Sequence, residues 1–211
     1  MAVPERRTLV VLGSLIGAMT LASGLLLMLE PRPAGPTSGV SLNAVAPAGR
    51  GADLLFTTTP PAEAAWWSAI VVHASGTAYG SAEAINRVHE RLGRGGLGYH
   101  FVVNNGTGGE DGLIEVGFRW RYQFVGAFSS GPDSGWYNQR AIGICLVGDG
   151  ERQSFTRAQM VELLWLVQRL QERFQIPADR VVVQLSDGAG AVGRLFPVAQ
   201  FRQQLLRRIA S

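Results

Sequence analysis

The chain has 211 residues, of which 46% are hydrophobic, and this is enough for one domain of ordinary size with extensions. Its formal net charge is +3, and every basic residue is an arginine. The arginines are dispersed and no nucleic-acid-binding motif occurs, so a nucleic-acid partner is not expected. The single cysteine, Cys145, excludes an intrachain disulfide, and its apolar neighbours predict a small buried side chain.

The first feature in chain order is an uncharged apolar stretch at residues 8–29. Its length suits one transmembrane helix, which needs roughly 20 residues. Arg6 and Arg7 precede it, so the positive-inside rule places residues 1–7 in the cytoplasm and the rest of the chain beyond the inner membrane, in the periplasm or an equivalent extracytoplasmic space. A cleaved signal peptide is the alternative, but its apolar region would normally be about 7–15 residues long.

One side of this segment carries small residues. Gly13 and Gly17 form a small-xxx-small pair, a pattern that lets two helices pack closely in lipid. The pair therefore predicts a membrane-protein partner bound through the helix. Glycine is also common in membrane helices that only anchor a protein, and this alternative stays open.

A region rich in Pro, Gly, Ala, Ser and Thr follows at residues 30–61 and predicts a linker. Within it, Leu54, Leu55 and Phe56 form an apolar island that could dock on the domain or on a partner. Residues 62–211 predict the globular part. Its short apolar runs alternate with helical patterns, which indicates an α/β fold with a central mixed sheet flanked by helices. The predicted strands are 69–73, 99–103, 113–118, 141–147 and 181–185.

Three helices fit between and after these strands. The first is capped by Ser81 and runs to Leu92, with Ile85, Val88 and Leu92 predicted on its buried face. The second begins at Thr156, where Gln159 completes a capping box and Phe155 with Met160 suits a hydrophobic staple. Pro197 suits the first turn of the last helix. The apolar stripes of these last two helices are Met160, Leu163, Leu164, Val167, Leu170 and Phe174, and then Phe201, Leu205 and Ile209.

Five segments in this order resemble the N-acetylmuramoyl-L-alanine amidase and peptidoglycan recognition protein family. They are VVHASGT at 71–77, INRVHERLGRGGLGYHFVVNNG at 85–106, WYNQRAIGICLVGDG at 136–150, FTRAQMVELLWLVQRL at 155–170 and FQIPADRVV at 174–182. The resemblance implies the family's fold. In active members it also implies zinc, held by a strand-end His, a later His and a Cys or Asp, and cleavage of the muramoyl–L-alanine bond.

The departures from the family's pattern fall on this chemistry. His73 matches the first zinc ligand, but Leu185 and Phe196 stand at the other two positions. Arg194 stands where many members have a catalytic Lys, and Tyr99 where some have a catalytic Tyr. Leucine and phenylalanine offer no electron pair to a metal. We therefore expect no metal and no cofactor, and interpret these five positions as vestigial.

Two ways of recovering chemistry were weighed and disfavoured. Asp187 could replace a lost ligand, but one His and one Asp make a weak site. A Ser-His-Asp arrangement could be assembled from Ser75 or Ser186 with His73 and Asp187, yet no nucleophile elbow is present. As a strand-end polar residue, His73 is expected to cost on the order of 1 kcal/mol or less on removal if it is exposed.

The sequence therefore favours a membrane-anchored, inactive amidase-like domain that serves as a structural or accessory subunit of a membrane protein complex. The first alternative is a peptidoglycan recognition module, and the second, less favoured, is an active zinc amidase. For the first alternative, the resemblance marks Tyr99, Phe128, Trp136 and Asn138 as ligand-binding candidates. Phe128 stands where the family has a His near bound substrate, which counts against that alternative.

Overall fold

The computed structural model describes residues 52–185 and 190–206. Five strands form one mixed sheet in the order β3-β2-β4-β1-β5. Strands β2, β4, β1 and β5 are parallel, and β3 pairs antiparallel with β2 at one edge. The strands are β1 (Ala69–Ala74), β2 (Phe101–Val103), β3 (Ile114–Val116), β4 (Ala141–Leu146) and β5 (Val181–Val183). The predicted mixed sheet flanked by helices is confirmed.

Six α-helices and one short 3-10 helix lie within the described part of the chain. They are α1 (Ala52–Leu55), α2 (Ala82–Arg91), α3 (Phe118–Arg121), α4 (Ser134–Arg140), α5 (Arg157–Phe174) and α6 (Val198–Leu206), with the 3-10 helix at Ala178–Arg180. The capping box of α5 is present, because the Thr156 side chain accepts from Gln159 N and the Gln159 side chain accepts from Thr156 N. Ser81 caps α2 through Ala84 N. Both cap predictions are confirmed.

Side chains alternate between the two faces of the sheet, as strand geometry requires. Ile70 and Val72 of β1 belong to the larger core beneath α5, whereas Val71 belongs to a smaller core on the opposite face. The smaller core includes Tyr99 and Cys145. His73 follows the same alternation as Val71 and points to the smaller-core face. The name carboxyl edge is used for the end of the sheet at which β1, β2 and β4 finish. The name amino edge is used for the end at which these strands begin.

The predicted buried face of α2 is wrong at two positions. Val88 is 44% exposed and Leu92 is 63% exposed, while Asn86 and His89 are buried. The reason is hydrogen bonding: Asn86 Oδ1 accepts from Leu97 N at 2.6 Å, and His89 Nδ1 accepts from Gly98 N at 2.9 Å. These bonds fix the loop before β2 against α2, and they turn the polar side chains inward in place of the apolar ones.

The start of the described chain packs onto the domain. Leu55 is 3% exposed, and its carbonyl accepts from the indole N–H of Trp120 at 2.8 Å. Thr59 N donates to Arg121 O at 2.7 Å. The apolar island of the predicted linker therefore docks through Leu55 on α3. No helix within residues 52–185 and 190–206 has the length and apolarity to cross a membrane. The predicted transmembrane helix at 8–29, with Gly13 and Gly17, lies outside the described residues, as does Ile209.

Candidate functional site

His73 lies near the carboxyl end of β1 and is enclosed rather than open to solvent. Its side chain is 3% exposed, and its Nδ1 lies 3.1 Å from the hydroxyl of Tyr99. Phe128 approaches the imidazole edge-on, with ring centroids 5.6 Å apart. The chain returns at Gly190, where an added Cβ would lie 2.4 Å from His73 Nδ1. The sequence-based estimate of a small cost for removing His73 assumed exposure, and that assumption is wrong.

The electrostatics of His73 keep it neutral. Burial, with a smaller contribution from the positive charge of Arg94, lowers the pKa of His73 to about 4. A neutral imidazole is the form that binds metal or accepts a proton, so protonation does not disable this residue. Its function therefore depends on which donors stand beside it.

Leu185 and Phe196 differ in environment. Leu185 follows β5 and is 49% exposed. Phe196 is 3% exposed and belongs to the larger core, where its ring lies 5.8 Å from Phe155 and 5.5 Å from Phe201, edge-on to both. Phe196, which the resemblance aligns with the third zinc ligand, is therefore an integral part of this core.

The donor set does not fit a catalytic zinc ion. Such a site normally takes three protein ligands from His, Cys and carboxylates. Across residues 52–185 and 190–206, no group of three or more His, Cys, Asp or Glu side chains is placed to hold a metal. His73 is the single donor among its three family positions. Asp187 and Ser186, considered above as replacements, lie outside the described residues.

Two of the four ligand-binding candidates, Tyr99 and Phe128, are buried. Tyr99 is 4% exposed and Phe128 is 1% exposed, and their rings stack with centroids 5.9 Å apart. The ring of Phe128 covers Gly143 of β4, where an added Cβ would lie 2.3 Å from it. Glycine at 143 is what permits this close approach, and Phe128 fills the space above the sheet beside His73.

The third candidate, Asn138 of α4, positions the segment that carries Phe128. Its Oδ1 accepts from Phe128 N at 3.1 Å and from Ser129 N at 3.0 Å, and its Nδ2 donates to Ser129 O at 3.1 Å. This bidentate clamp occupies both ends of the amide. Asn138 therefore positions this segment, and its assignment to ligand contact stays a prediction.

The remaining predicted residues lie elsewhere. Trp136 is 43% exposed on α4, where its ring lies edge-on to Tyr137 with centroids 5.2 Å apart. Arg194 is exposed and forms an ion pair with Glu151, Nε to Oε2 at 3.6 Å. The structure thus brings Tyr99 and Phe128 to His73 but not Trp136, and it gives Arg194 a carboxylate partner in a surface turn.

Other groups that could carry chemistry are satisfied. His100 Nδ1 accepts from Gly143 N and its Nε2 donates to Phe124 O, and burial lowers the pKa of His100 to about 3. Burial likewise lowers the pKa of His89 to about 4, with Arg94 and Arg119 adding to it. Burial raises the pKa of the Cys145 thiol, which rules out a thiolate at neutral pH. Ser75 Oγ accepts from Gly148 N at 3.0 Å.

The sequence reasoning missed a cavity of about 300 Å³ on the smaller-core face. Its floor is formed by Val71, Val182 and Gln184, and its rim carries hydroxyls and one carboxylate between residues 129 and 137. The run Ser129–Ser134 in the sequence, rich in Ser, Gly, Pro and Asp, indicates a loop, but only the sheet register places it above Val71. The rim residues are Ser129, Ser130, Pro132, Asp133, Ser134 and Tyr137.

Together, the sheet order, the strand-end His73 and the long capped helix beneath the sheet define an amidase-type α/β domain. A family model described as N-acetylmuramoyl-L-alanine amidase matches residues 63–194. The chain therefore belongs to the N-acetylmuramoyl-L-alanine amidase family. No curated protein matches the chain.

Solved structures agree with this assignment. The N-acetylmuramoyl-L-alanine amidase LysC from Clostridium intestinale URNW is similar with a TM-score of 0.55 and 25% identity, over 70% of this chain and 91% of that chain. The endolysin N-acetylmuramoyl-L-alanine amidase LysCS from the same organism is similar with a TM-score of 0.55 and 25% identity, over 70% of this chain and 90% of that chain. The bumblebee peptidoglycan recognition protein PGRP-SA is less similar, with a TM-score of 0.49 and 19% identity over 68% and 82%.

Proposed function

We propose that this protein is a catalytically inactive member of the amidase family that acts as a structural or accessory subunit of a membrane protein complex. Residues 8–29 would anchor it in the inner membrane, with residues 1–7 in the cytoplasm and the domain in the periplasm or its extracytoplasmic equivalent. The observation that carries the inactivity is Phe196. Its ring is a fully enclosed part of the larger core at the position where active members hold their third ligand.

Burial of Phe196 makes recovery of the metal site by a small side-chain movement costly. Exposing a buried Phe side chain forfeits roughly 1.5–3 kcal/mol of transfer free energy. Leu185 points to solvent but has no donor atom, so movement there recovers nothing. His73, enclosed by Tyr99, Phe128 and the Gly190 backbone, serves as a packed and hydrogen-bonded core residue in this proposal.

The subunit role is supported by the pattern of the N-terminal segment. Helices in lipid associate without a hydrophobic driving force between them, so close packing at small residues supplies the attraction. Gly13 and Gly17 offer such a face. A domain without chemistry and with an anchor suited to packing fits an accessory subunit.

The second candidate is peptidoglycan recognition. It is favoured by the cavity beside β1 and β5, which lies on the same sheet face as His73 and combines a floor of two valines and Gln184 with a hydroxyl-rich rim. Sugar and peptide ligands suit such a cavity, because a few polar groups among apolar side chains fix orientation. The burial of Tyr99 and Phe128 removes two of the contacts expected from the sequence. An active amidase would need donors that the described residues lack.

Co-purification from native membranes separates the two roles. The full chain is solubilised gently, and a Gly13→Ile/Gly17→Ile variant, which stays apolar and insertable, serves as the comparison. A stoichiometric membrane partner that the double variant loses supports the subunit role. A partner retained by the variant would place attachment elsewhere, and absence of any stoichiometric partner would refute the role.

Retention on insoluble peptidoglycan tests the second candidate with the same full chain. Ser130 is an exposed residue on the cavity rim, so Ser130→Trp would block the cavity without touching the core. Ser154→Trp, at an exposed position outside this cavity, is the matched control. Binding that only Ser130→Trp abolishes would favour recognition, and the absence of binding would eliminate it.

A further inference from the structure

A cluster of exposed apolar side chains lies at the amino edge of the sheet, opposite His73. We call Trp66, Tyr122, Phe124, Val125 and Trp136 the amino-edge surface. Each is between 42% and 51% exposed. Residues 66–68 lead directly into β1, and residues 118–125 follow β3, whose carboxyl end pairs with the start of β2. Exposed apolar groups gathered in one place mark an interaction site more often than scattered ones do.

The members of this surface are joined by contacts. The Tyr122 and Phe124 rings have centroids 6.0 Å apart. The guanidinium of Arg140 lies 5.5 Å from the Trp66 ring, and Trp136 is one turn before Arg140 on α4, which places both on the same helix face. Two hydrogen bonds link the segment that carries Tyr122 and Phe124 to the segments that carry Trp66 and Trp136. Trp67 Nε1 donates to Gln123 Oε1 at 2.9 Å, and Gly126 N donates to Asn138 O at 2.7 Å.

The loop that presents Tyr122 and Phe124 is held in place. Gln123 has φ = 55°, a conformation uncommon for a side-chain-bearing residue. Its amide accepts from Trp67 Nε1 and donates to Trp120 O at 2.6 Å, so Gln123 points inward between two outward rings. Arg119 fixes the end of the loop by donating from Nη1 to Val125 O at 2.7 Å. The structure therefore maintains the exposure of these aromatic groups at some backbone cost.

The chemistry of the surface matches a lipid headgroup layer. Trp and Tyr favour the membrane–water interface because they combine an apolar body with a polar tip. The segments 63–70, 118–126 and 133–142 contain three arginines, Arg119, Arg121 and Arg140, and two carboxylates, Glu63 and Asp133. An aromatic surface with this excess of positive charge suits a bilayer with anionic headgroups.

The course of the chain agrees with this occupant. The described chain enters at Ala52, and Leu55 docks on Trp120 of α3 at this same edge. Residues 30–51 separate it from the apolar segment 8–29 in the sequence. A chain anchored through residues 8–29 would therefore enter the domain beside α3, which directly precedes Tyr122.

We propose that the amino-edge surface contacts the surface of an anionic bilayer, seating its aromatic side chains at headgroup level. The His73 side of the domain then faces away from the membrane. This inference rests on the membrane anchor of the proposed function for its orientation.

The test uses the full chain in vesicles of phosphatidylglycerol and phosphatidylcholine, with brominated lipid as quencher of tryptophan fluorescence. All five tryptophans lie between residues 66 and 165, so quenching reports only on the domain. Trp67 and Trp120 are buried and Trp165 is partly buried against the larger core, which leaves Trp66 and Trp136 as the exposed reporters. We expect quenching above the detergent baseline in anionic vesicles and less in phosphatidylcholine alone.

Variants that leave every tryptophan in place sharpen the test. Tyr122→Ser/Phe124→Ser should abolish the extra quenching, whereas Tyr79→Ser/Leu206→Ser, at residues 78% and 74% exposed elsewhere, should not. Arg140→Gln should lower the ratio of bound to free domain about fivefold, the effect of one basic residue near an anionic surface. Arg140 makes no buried contact, so this variant keeps the test valid if the double variant misfolds.

The outcomes separate this inference from the proposed function. Extraction of the chain by carbonate would refute the anchor. Retention without quenching, or quenching unchanged in both sets of variants, would overturn the lipid-facing surface while leaving the anchor intact. A photo-crosslinker at Phe124 in native membranes should label lipid, and a protein adduct in its place would overturn the inference.

Discussion

The carboxyl and amino edges of this sheet use apolar side chains in opposite ways. At the carboxyl edge, Phe128 and Phe196 are buried around the place where the family does its chemistry. At the amino edge, Trp66 and Phe124 are turned out to solvent by a loop that hydrogen bonds hold in shape. One edge carries buried aromatic packing, and the other carries exposed aromatic side chains.

The contrast shows that residue type alone does not separate core from binding surface. Aromatic residues at both edges are compatible with ligand stacking when only the sequence is known. Burial and hydrogen bonding distinguish them: Tyr99 contacts His73 inside the domain, whereas Trp136 is open to solvent. The amino edge and the cavity beside β5 are therefore more accessible to a ligand or partner than the surroundings of His73.

The largest effect expected at the carboxyl edge comes from Phe196→Ala. Because the ring lies in the larger core between Phe155 and Phe201, its removal should cost about 3–5 kcal/mol in the free energy of unfolding. Leu185→Ala, at a half-exposed position, should change it by about 0.5 kcal/mol or less. Urea denaturation of both variants measures the difference, and similar costs would contradict the different roles assigned to the two positions.

Acid should weaken the buried interior next. The pKa of His100 is about 3 in the folded state against an ordinary value of 6.5. His100 is therefore protonated at a lower pH in the folded state than in the unfolded state. Stability is complete above about pH 6.5 and falls as the pH drops toward 3, with a loss at pH 4 of about 3 kcal/mol from this group. His73 and His89, with pKa values near 4, act in the same direction.

Urea midpoints between pH 7 and pH 4 measure this loss. In His100→Gln, the amide can still accept from Gly143 N and donate to Phe124 O but cannot titrate. The pH dependence should therefore be smaller in this variant than in the wild type. Equal slopes would show that His100 does not carry the effect.

Asn138→Ala should cost about 1–3 kcal/mol, because two backbone N–H groups at Phe128 and Ser129 lose their acceptor. Asn138→Asp keeps that acceptor and loses only the bond to Ser129 O, so it should cost less. Thermal or urea unfolding distinguishes the two. An Asn138→Ala variant with an unchanged free energy of unfolding would favour the ligand-contact role that the sequence predicts.

Tyr99→Phe should cost about 1 kcal/mol through loss of the hydroxyl contact with His73. Tyr122→Phe, which removes a hydroxyl from an exposed ring, should change stability by no more than about 0.5 kcal/mol.

The smallest stability effect is expected for Phe124→Ser, which should stay within the same limit because the ring is half exposed. A large loss there would mean that the amino-edge surface is part of the fold.

Much of the sheet and the ends of the long helix could be predicted from the sequence. Short continuous apolar runs identified β1 and β4, and the capping box placed the start of α5 directly after Thr156. The inward face of α2 could not be predicted, because Asn86 and His89 are buried through hydrogen bonds to the loop before β2. That loop is close to α2 in the sequence, but its shape depends on the sheet. The short helices α3 and α4 were missed for the same reason, since tertiary contacts define them.

The loss of metal donors stays a prediction from the sequence, whereas the surfaces of the candidate site became visible only in the structure. Leu185 and Phe196 could be located by motif, because a missing donor is visible in the residue type. The burial of Tyr99 and Phe128 could not, because it depends on Gly143 leaving room for a ring and on Asn138 clamping the segment above it. The cavity between β5 and residues 129–134 likewise exists only once the strands are in register.

The most direct test of the central claim is the zinc content of the full chain, purified in detergent without chelator and measured by elemental analysis beside His73→Ala. One ligand position with a donor and two without should leave both proteins with zinc well below one ion per chain and no measurable cleavage of muropeptides. About one tightly held zinc per chain in the wild type, lost in His73→Ala together with lytic activity, would contradict the inactive assignment.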